Sequence, residues 1–262
     1  MPTRPPSFPF SPPSPAQVLD EALIQPRRER GEAPVPARAV LTFTRPDYQL
    51  LCRLARAPGP PRHLFGCAVR EGRWQRQPLA IAAPAPGAPY AAMVLEKLVA
   101  LGARLILALG WCGSLDPGVE VGSLVLPTRA VAEDGTSRHY LPPAAEPSPD
   151  PALLALLRHL LATGGARWHQ GPVWTTDAFY RETAALVAHY QSQGVLGVDL
   201  ELAALLAVGR YRGVAVAALL AVSDELGSLK WRPGARTPAF RRARELAARV
   251  VLDAAAQGEV HV

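Results

Sequence analysis

From Ala37 onward the chain alternates two kinds of apolar pattern. ARAVLTF, PLAIAA, RLILALG, GSLVLPTRAVA, HQGPVWTT, VLGVDL and GVAVAALLAVSD are short and nearly continuous in hydrophobicity, as strands covered on both faces are. Between them, AAMVLEKLVALG, PALLALLRHLLA, the stretch from Arg181 toward Tyr190, the segment after VLGVDL, and TPAFRRARELAARVVLDAA carry apolar residues at helical spacing. Strands alternating with helices predict one α/β domain, its mostly parallel or mixed sheet lying between helical layers.

The first residues break this pattern. MPTRPPSFPFSPPSPAQ is too rich in proline for a helix interior or a central strand. The chain therefore divides into a proline-rich arm over 1–36, flexible or draped on the surface, and a domain over 37–262. In open α/β sheets a ligand sits beyond the carboxyl ends of the strands, which directs attention to the residues just after each apolar run. LALG leads into WCGSLDPGVEVG, PVW into TTDAFYRET, VLGV into DLE, and AALLAV into SDEL. Polar and acidic residues thus gather at one edge of the sheet.

Composition narrows the partner classes. With 49% apolar residues, the 262-residue chain can bury a sizeable core. The net charge of +6 comes almost wholly from arginine, Lys97 and Lys230 being the only lysines. RRER at 27–30 and RR at 241–242 lack interleaved aromatics and read as solvated faces, not as a nucleic-acid surface. Cys52, Cys67 and Cys112 are too few and scattered for a disulfide framework. The amino terminus has no apolar signal core, and Glu96, Lys97 and Arg104 interrupt the longest apolar stretch. These features predict a cytoplasmic protein with no membrane or nucleic-acid partner.

Most familiar chemistries find no support. The six histidines lack metal-ligand spacing, and the chain has neither a Walker glycine loop nor a G-x-S-x-G elbow. GWCGS could present Cys112 as a nucleophile with His139 as its base, but Asp116-Pro117-Gly118 supplies a turn where an elbow needs a helix. A buried cysteine is the expectation there. Asp199 and Glu201 raise a sharper question, because a charge inside an apolar run is expensive to bury. Either both sit at a solvated boundary between strand and helix, or one faces a ligand.

GWCGSLDPGVEVGSLVLPT, GTSRHY, VWTTDAFYRET, GVLGVDLELAAL and AVSDEL, in this order and spacing, resemble the nucleoside phosphorylase superfamily. That group contains the hexameric purine nucleoside phosphorylases, the uridine phosphorylases and related nucleosidases. The similarity spans about residues 38 to 257. It implies a three-layer αβα sandwich with a central mixed β-sheet and a nucleoside bound at the strand ends. It further implies homodimers or homohexamers, and inorganic phosphate as co-substrate with no other cofactor.

Cleaving an N-glycosidic bond builds positive charge on the ribose and negative charge on the departing base, so the site must fix the sugar and stabilise the leaving group. The resemblance gives the ribose hydroxyls to Glu201, and Leu200 stands in the family's methionine position beneath the sugar. Asp199 is left to cap or orient the following helix, since neighbours on an extended stretch face opposite ways. Asp224 matches an aspartate that protonates or hydrogen-bonds a purine at N7, and uridine phosphorylases lack it. An arginine on the next segment helps, Arg236 being preferred to Arg232 by spacing. The bland alternative for Asp224 is a helix N-cap. Phe179 matches the aromatic that stacks on the base, with ordinary core as its alternative.

The phosphate end departs from the family. A glycine-aspartate-proline loop with an arginine is replaced by LTFTRPDYQ, and ILALGWCGS puts Ala108 in the position of a second arginine. Trp111 stands where a small hydroxyl residue would touch phosphate. Arg45 is one replacement, and Arg62 or Arg70 from a partner subunit another, beside Gly110 of the glycine loop and the turn at Gly87 in APAPGAPY. Three readings result: a phosphorylase acting on a purine nucleoside, a nucleosidase using water, and a nucleoside-binding relative without turnover. The nucleosidase branch has a glutamate after the first strand, where this chain offers only Asp47.

Overall fold

The structure, a computed structural model, describes residues 22–142, 145–165 and 167–260. The leader MPTRPPSFPFSPPSPAQ lies outside the described residues. Among the described residues, ten strands form one mixed sheet. β1 (Arg38–Thr42) lies between β4 (Gln77–Ala83) and β5 (Leu105–Ser114), parallel to both. Beyond β4, the antiparallel strands β3 (Cys67–Trp74) and β2 (Arg62–Leu64) build one edge. On its other side β5 pairs in parallel with β9 (Ala215–Glu225), which runs antiparallel to β6 (Leu124–Ala132) and β10 (Arg232–Pro233). β6, β7 (Trp168–Thr175) and β8 (Gly197–Asp199) follow in parallel, and β8 returns antiparallel to Gly113 and Ser114 of β5. Five strands thereby close a ring at the carboxyl end of β5.

The helices are α1 (Arg45–Leu54), α2 (Ala88–Ala100), α3 (Pro151–Thr163), α4 (Ala184–Ser192), α5 (Leu202–Arg212) and α6 (Pro238–Gln257). Successive strand residues point to opposite faces. In β5, Ile106 and Ala108 join the core beneath α2 and α5, while Leu105, Leu107 and Leu109 join the core beneath α1, α3 and α6. This is why the strands read as continuous apolar runs, and it makes the molecule a three-layer αβα sandwich. Each fully buried leucine contributes roughly 2 kcal/mol by the apolar area it removes from water.

Local structure departs from the sequence expectation in three places. Helix α1 is set by Thr44, whose Oγ1 accepts from the Asp47 N–H at 3.4 Å, with Pro46 in the first turn. The β2–β3 and β3–β4 hairpins turn on Phe65-Gly66 and Gln75-Arg76, all with positive φ, as twisted two-residue turns require. The expected helix from Arg181 begins only at Ala184, because Thr183 Oγ1 caps the Leu186 N–H. Residues 179–181 instead form a single 3₁₀ turn, which leaves their side chains outside the core.

Residues 25–35 are fastened to the domain. Lys97 Nζ donates to Arg27 O and pairs with Glu32, the Val35 N–H donates to Leu101 O, and Arg62 donates to the carbonyls of Ala33 and Pro34.

Candidate active site

The carboxyl ends of β1, β5, β8 and β9 meet at a cavity of about 360 Å³. Phe43 and Thr44 come from the end of β1, Trp111 to Gly113 from β5, Val198 and Asp199 from β8, and Ser223 and Asp224 from β9. Phe179 and Glu182 reach it from the loop before α4, and Trp231, Pro233, Gly234 and Ala235 from the segment before α6. Gly113 allows the close approach of strands here: a Cβ on it would meet Leu226 Cδ1 at 2.9 Å and Asp224 Oδ2 at 3.1 Å.

Asp199 and Glu201 are both buried and do different work. Asp199 Oδ1 accepts from Thr175 Oγ1 at 2.6 Å, and its Oδ2 accepts from the N–H groups of Leu202 (2.7 Å) and Glu201 (3.2 Å). It therefore satisfies the first turn of α5, as the sequence suggests. Glu201 Oε1 accepts from the Gly87 N–H at 2.7 Å, and its carboxyl borders the cavity. Burial raises the affinity of both carboxyls for a proton, and the Asp199 charge adds to the effect on Glu201. With three donors on it, Asp199 is the better stabilised anion, and Glu201 holds the proton more readily.

Asp224 is not a helix cap. It lies in β9, where its Oδ1 accepts from Ser223 Oγ at 2.5 Å and its Oδ2 from Trp231 Nε1 at 2.9 Å. Both oxygens thus already carry protein donors. Phe179 is 42% exposed and borders the cavity, which rules out the ordinary-core alternative. Leu200 lines the cavity beside Glu201.

Glu182 escaped the sequence reading. Its side chain has no hydrogen bond or ion pair among the described residues, and burial together with the Asp224 charge pushes its carboxyl up to about 7. Its only signal was position, three residues after Phe179 in VWTTDAFYRET.

The expected cations are elsewhere. Arg45, Arg62 and Arg236 do not line this cavity; Arg62 is held by Ala33 O, Pro34 O and Glu71, while Arg45 and Arg70 face a second cavity. Gly234 and Ala235 border the cavity next to Arg236 in sequence. Gly87 serves as the Glu201 donor, and Gly110 packs within β5 against Phe43 and Leu220. Among the described residues the cavity wall carries four carboxyl groups, of Glu182, Asp199, Glu201 and Asp224, and no lysine or arginine.

Trp111 closes one side. Its Nε1 donates to Asp47 Oδ2 at 2.6 Å, and its ring packs edge-on against Phe240 with centroids 4.9 Å apart. Asp47 is fully buried and also accepts from Thr44 Oγ1 and from Arg244. Ala108 is core. Cys112 is buried, and its thiol is pushed well above its ordinary range by burial and by the charges of Asp199 and Asp224, which removes it as a nucleophile. His139 does not line the cavity.

Residues 37–256 match the family model of the phosphorylase superfamily. The chain belongs to that superfamily. Among similar members, guanosine phosphorylase of Halorubrum lacusprofundi is 32% identical over 148 residues, which is 56% of this chain and 61% of that protein. Uridine phosphorylase of Thermococcus kodakarensis is 32% identical over 113 residues, 42% of this chain and 39% of the other. The aligned stretches thus span less than two thirds of these curated relatives. Two solved structures show the same superfamily fold. Purine nucleoside phosphorylase from Toxoplasma gondii in complex with immucillin-H superposes with a TM-score of 0.80 at 22% identity, covering 91% of this chain and 97% of that one. Uridine phosphorylase from Vibrio fischeri gives 0.77 at 22% identity, covering 87% and 100%. Among the described residues no helix is long and apolar enough to cross a membrane.

Proposed function

We propose that the chain is a nucleoside phosphorylase, a pentosyltransferase that cleaves the N-glycosidic bond of a purine nucleoside with phosphate to give free base and ribose 1-phosphate. One observation carries the reading: a cavity of nucleoside size that joins the buried carboxyl of Glu201, the aromatic face of Phe179 and the carboxyls of Asp224 and Glu182. Glu201 accepts the ribose hydroxyls, and the buried Asp199 anion favours the positive charge that develops on the sugar. At the base, Glu182 is the proton donor. It keeps a proton near neutral pH and has no side-chain partner among the described residues, whereas the Asp224 oxygens are occupied by Ser223 and Trp231. Asp224 then orients that end of the site, which favours a purine over a pyrimidine. The reading includes a homo-oligomer in the cytoplasm.

Water as the acceptor is a second reading. It is favoured by the charges of Asp199 and Asp224 and by the absence of lysine and arginine from the cavity wall among the described residues, since a phosphate dianion there would meet like charge. Purine and pyrimidine nucleosides assayed with and without inorganic phosphate separate the two. Ribose 1-phosphate formed only with phosphate supports the phosphorylase, and undiminished release of free ribose without it supports hydrolysis. No cleavage under either condition overturns both.

A further inference from the structure

Strands β5 and β9 end on the paired residues Ser114 and Glu225, one step beyond the Gly113–Asp224 pair of the first cavity. Past them the chain runs into two loops, and between these lies a small separate cavity of about 70 Å³. Ser114, Asp116 and Glu225 line it, with Ser228 and Arg232. The loops approach closely. A Cβ on Gly227 would meet Leu115 O at 2.8 Å and the Pro117 nitrogen at 2.9 Å, so this contact requires glycine.

One polar atom there is unaccounted for. Ser114 is 1% exposed, and its hydroxyl is shielded from solvent with no hydrogen-bond partner among the described residues. Buried polar groups of this kind are rare, and a bound ion is one of the usual reasons for them. Both carboxylates also keep acceptor capacity. Asp116 Oδ1 accepts from the Gly118 N–H at 2.7 Å, and its other oxygen has no hydrogen bond among the described residues. Glu225 Oε1 accepts from the Val121 N–H at 3.0 Å, and its Oε2 lies 3.1 Å from Arg232. A hydroxyl and two carboxylates around one small volume are the ligands of a hard cation. Charge decides which kind. Two carboxylates against one guanidinium leave a single negative charge, and among the described residues no group of three acidic, histidine or cysteine side chains forms. Arg232, its side chain 71% exposed, leaves the buried hydroxyl unmet. The cavity holds roughly two water molecules by their share of liquid volume, so an ion with one water fits and an organic cation does not.

We propose that Ser114, Asp116 and Glu225 bind one alkali cation, sodium or potassium, in the cavity between the loops that follow β5 and β9. The ion joins the two strand ends one residue beyond Asp224, so it stiffens the wall of the first cavity without touching a substrate. The inference is independent of the reaction proposed above, and its test reads stability alone.

The experiment melts the full chain at fixed ionic strength while choline chloride is exchanged for sodium or potassium chloride. Choline carries the same charge but is too large for the cavity. A saturable rise of several degrees in melting temperature is expected with an alkali chloride, because an ion bound only by the folded chain stabilises it by mass action. The salt with the lower midpoint identifies the ion. Ser114→Ala removes only the unmet hydroxyl and should raise that midpoint about tenfold, as for one lost polar contact. Asp116→Asn keeps an acceptor for the Gly118 N–H but removes a charge, so it should abolish the response, and it keeps the test valid if Ser114→Ala fails to fold. If water alone meets the hydroxyl, the parent melts at the same temperature in all three chlorides, which overturns the proposal. An alkali response that both variants retain in full places the ion elsewhere and overturns it equally. A response to calcium chloride and to neither alkali chloride overturns the assignment of a single charge.

Discussion

Arg244 and Asp47 form an ion pair across 197 residues of sequence, with guanidinium Nε 2.7 Å from Oδ1 and the carboxylate fully buried. The other oxygen of Asp47 holds the Trp111 indole. One carboxylate therefore fastens α1, α6 and the end of β5 together beside the first cavity.

Asp47→Ala should lower folding stability by about 3–5 kcal/mol, since it strands a mostly buried guanidinium and an indole N–H. Chemical denaturation measures this. A loss below 1 kcal/mol would mean that the pair is solvated and that Trp111 is positioned by packing alone.

Glu201→Gln keeps the shape of the side chain and an acceptor for the Gly87 N–H but cannot become an anion. Turnover should fall on the order of 10²–10³-fold with little change in melting temperature, as for other lost electrostatic contacts. A fully active variant would remove Glu201 from the chemistry.

Glu182→Gln should cost natural nucleosides far more than nucleosides with activated leaving groups, which need no proton. In the parent, kcat/KM should decline as pH rises through about 7, where Glu182 loses its proton, and the variant should lack that limb. Equal losses on both substrate types would assign the proton elsewhere.

The same carboxyl governs stability against pH. Its affinity for protons is higher in the folded chain than its ordinary value of 4.5, so its contribution is complete below that pH and is lost as pH rises through about 7. The melting temperature of the parent should therefore drop over this window, and Glu182→Gln should drop less. Glu201, shifted in the same direction, adds to the slope. A flat parent curve would show Glu182 to be solvated.

Gly113→Ala tests the strand approach at the first cavity. Its methyl group would displace Asp224 Oδ2 or Leu226, so activity should fall while the sheet survives. Unchanged kinetics would show that Asp224 tolerates movement.

Much of the fold could be read from the chain because strands buried on both faces are unmistakable, as LILALG and VAVAALLAV show. Strands β2 and β3 could not, since Gln75-Arg76 makes a tight turn into β4 without glycine or asparagine. In the candidate site, strand ends marked the segments that hold Glu201, Leu200, Phe179 and Asp224, and the family resemblance singled those residues out within them. Glu182 was not, because an acid beside Arg181 in a polar loop looks solvated. The Asp47–Arg244 pair joins the first helix to the last, and no local pattern records it. The resemblance implied arginines that meet phosphate beside Glu201, whereas Arg45 and Arg70 line the second cavity and not the one beside Glu201.

Trp231 donates its indole proton to Asp224 and is 61% exposed, whereas the other four tryptophans are buried or half-buried. The chain thus contains its own optical gauge of the first cavity. The red edge of its emission should come chiefly from this one ring, and on the proposed reading a base that settles against Asp224 would dry the ring and move that emission to shorter wavelength. Ligand arrival would then be visible in unlabelled protein, ahead of any cleavage.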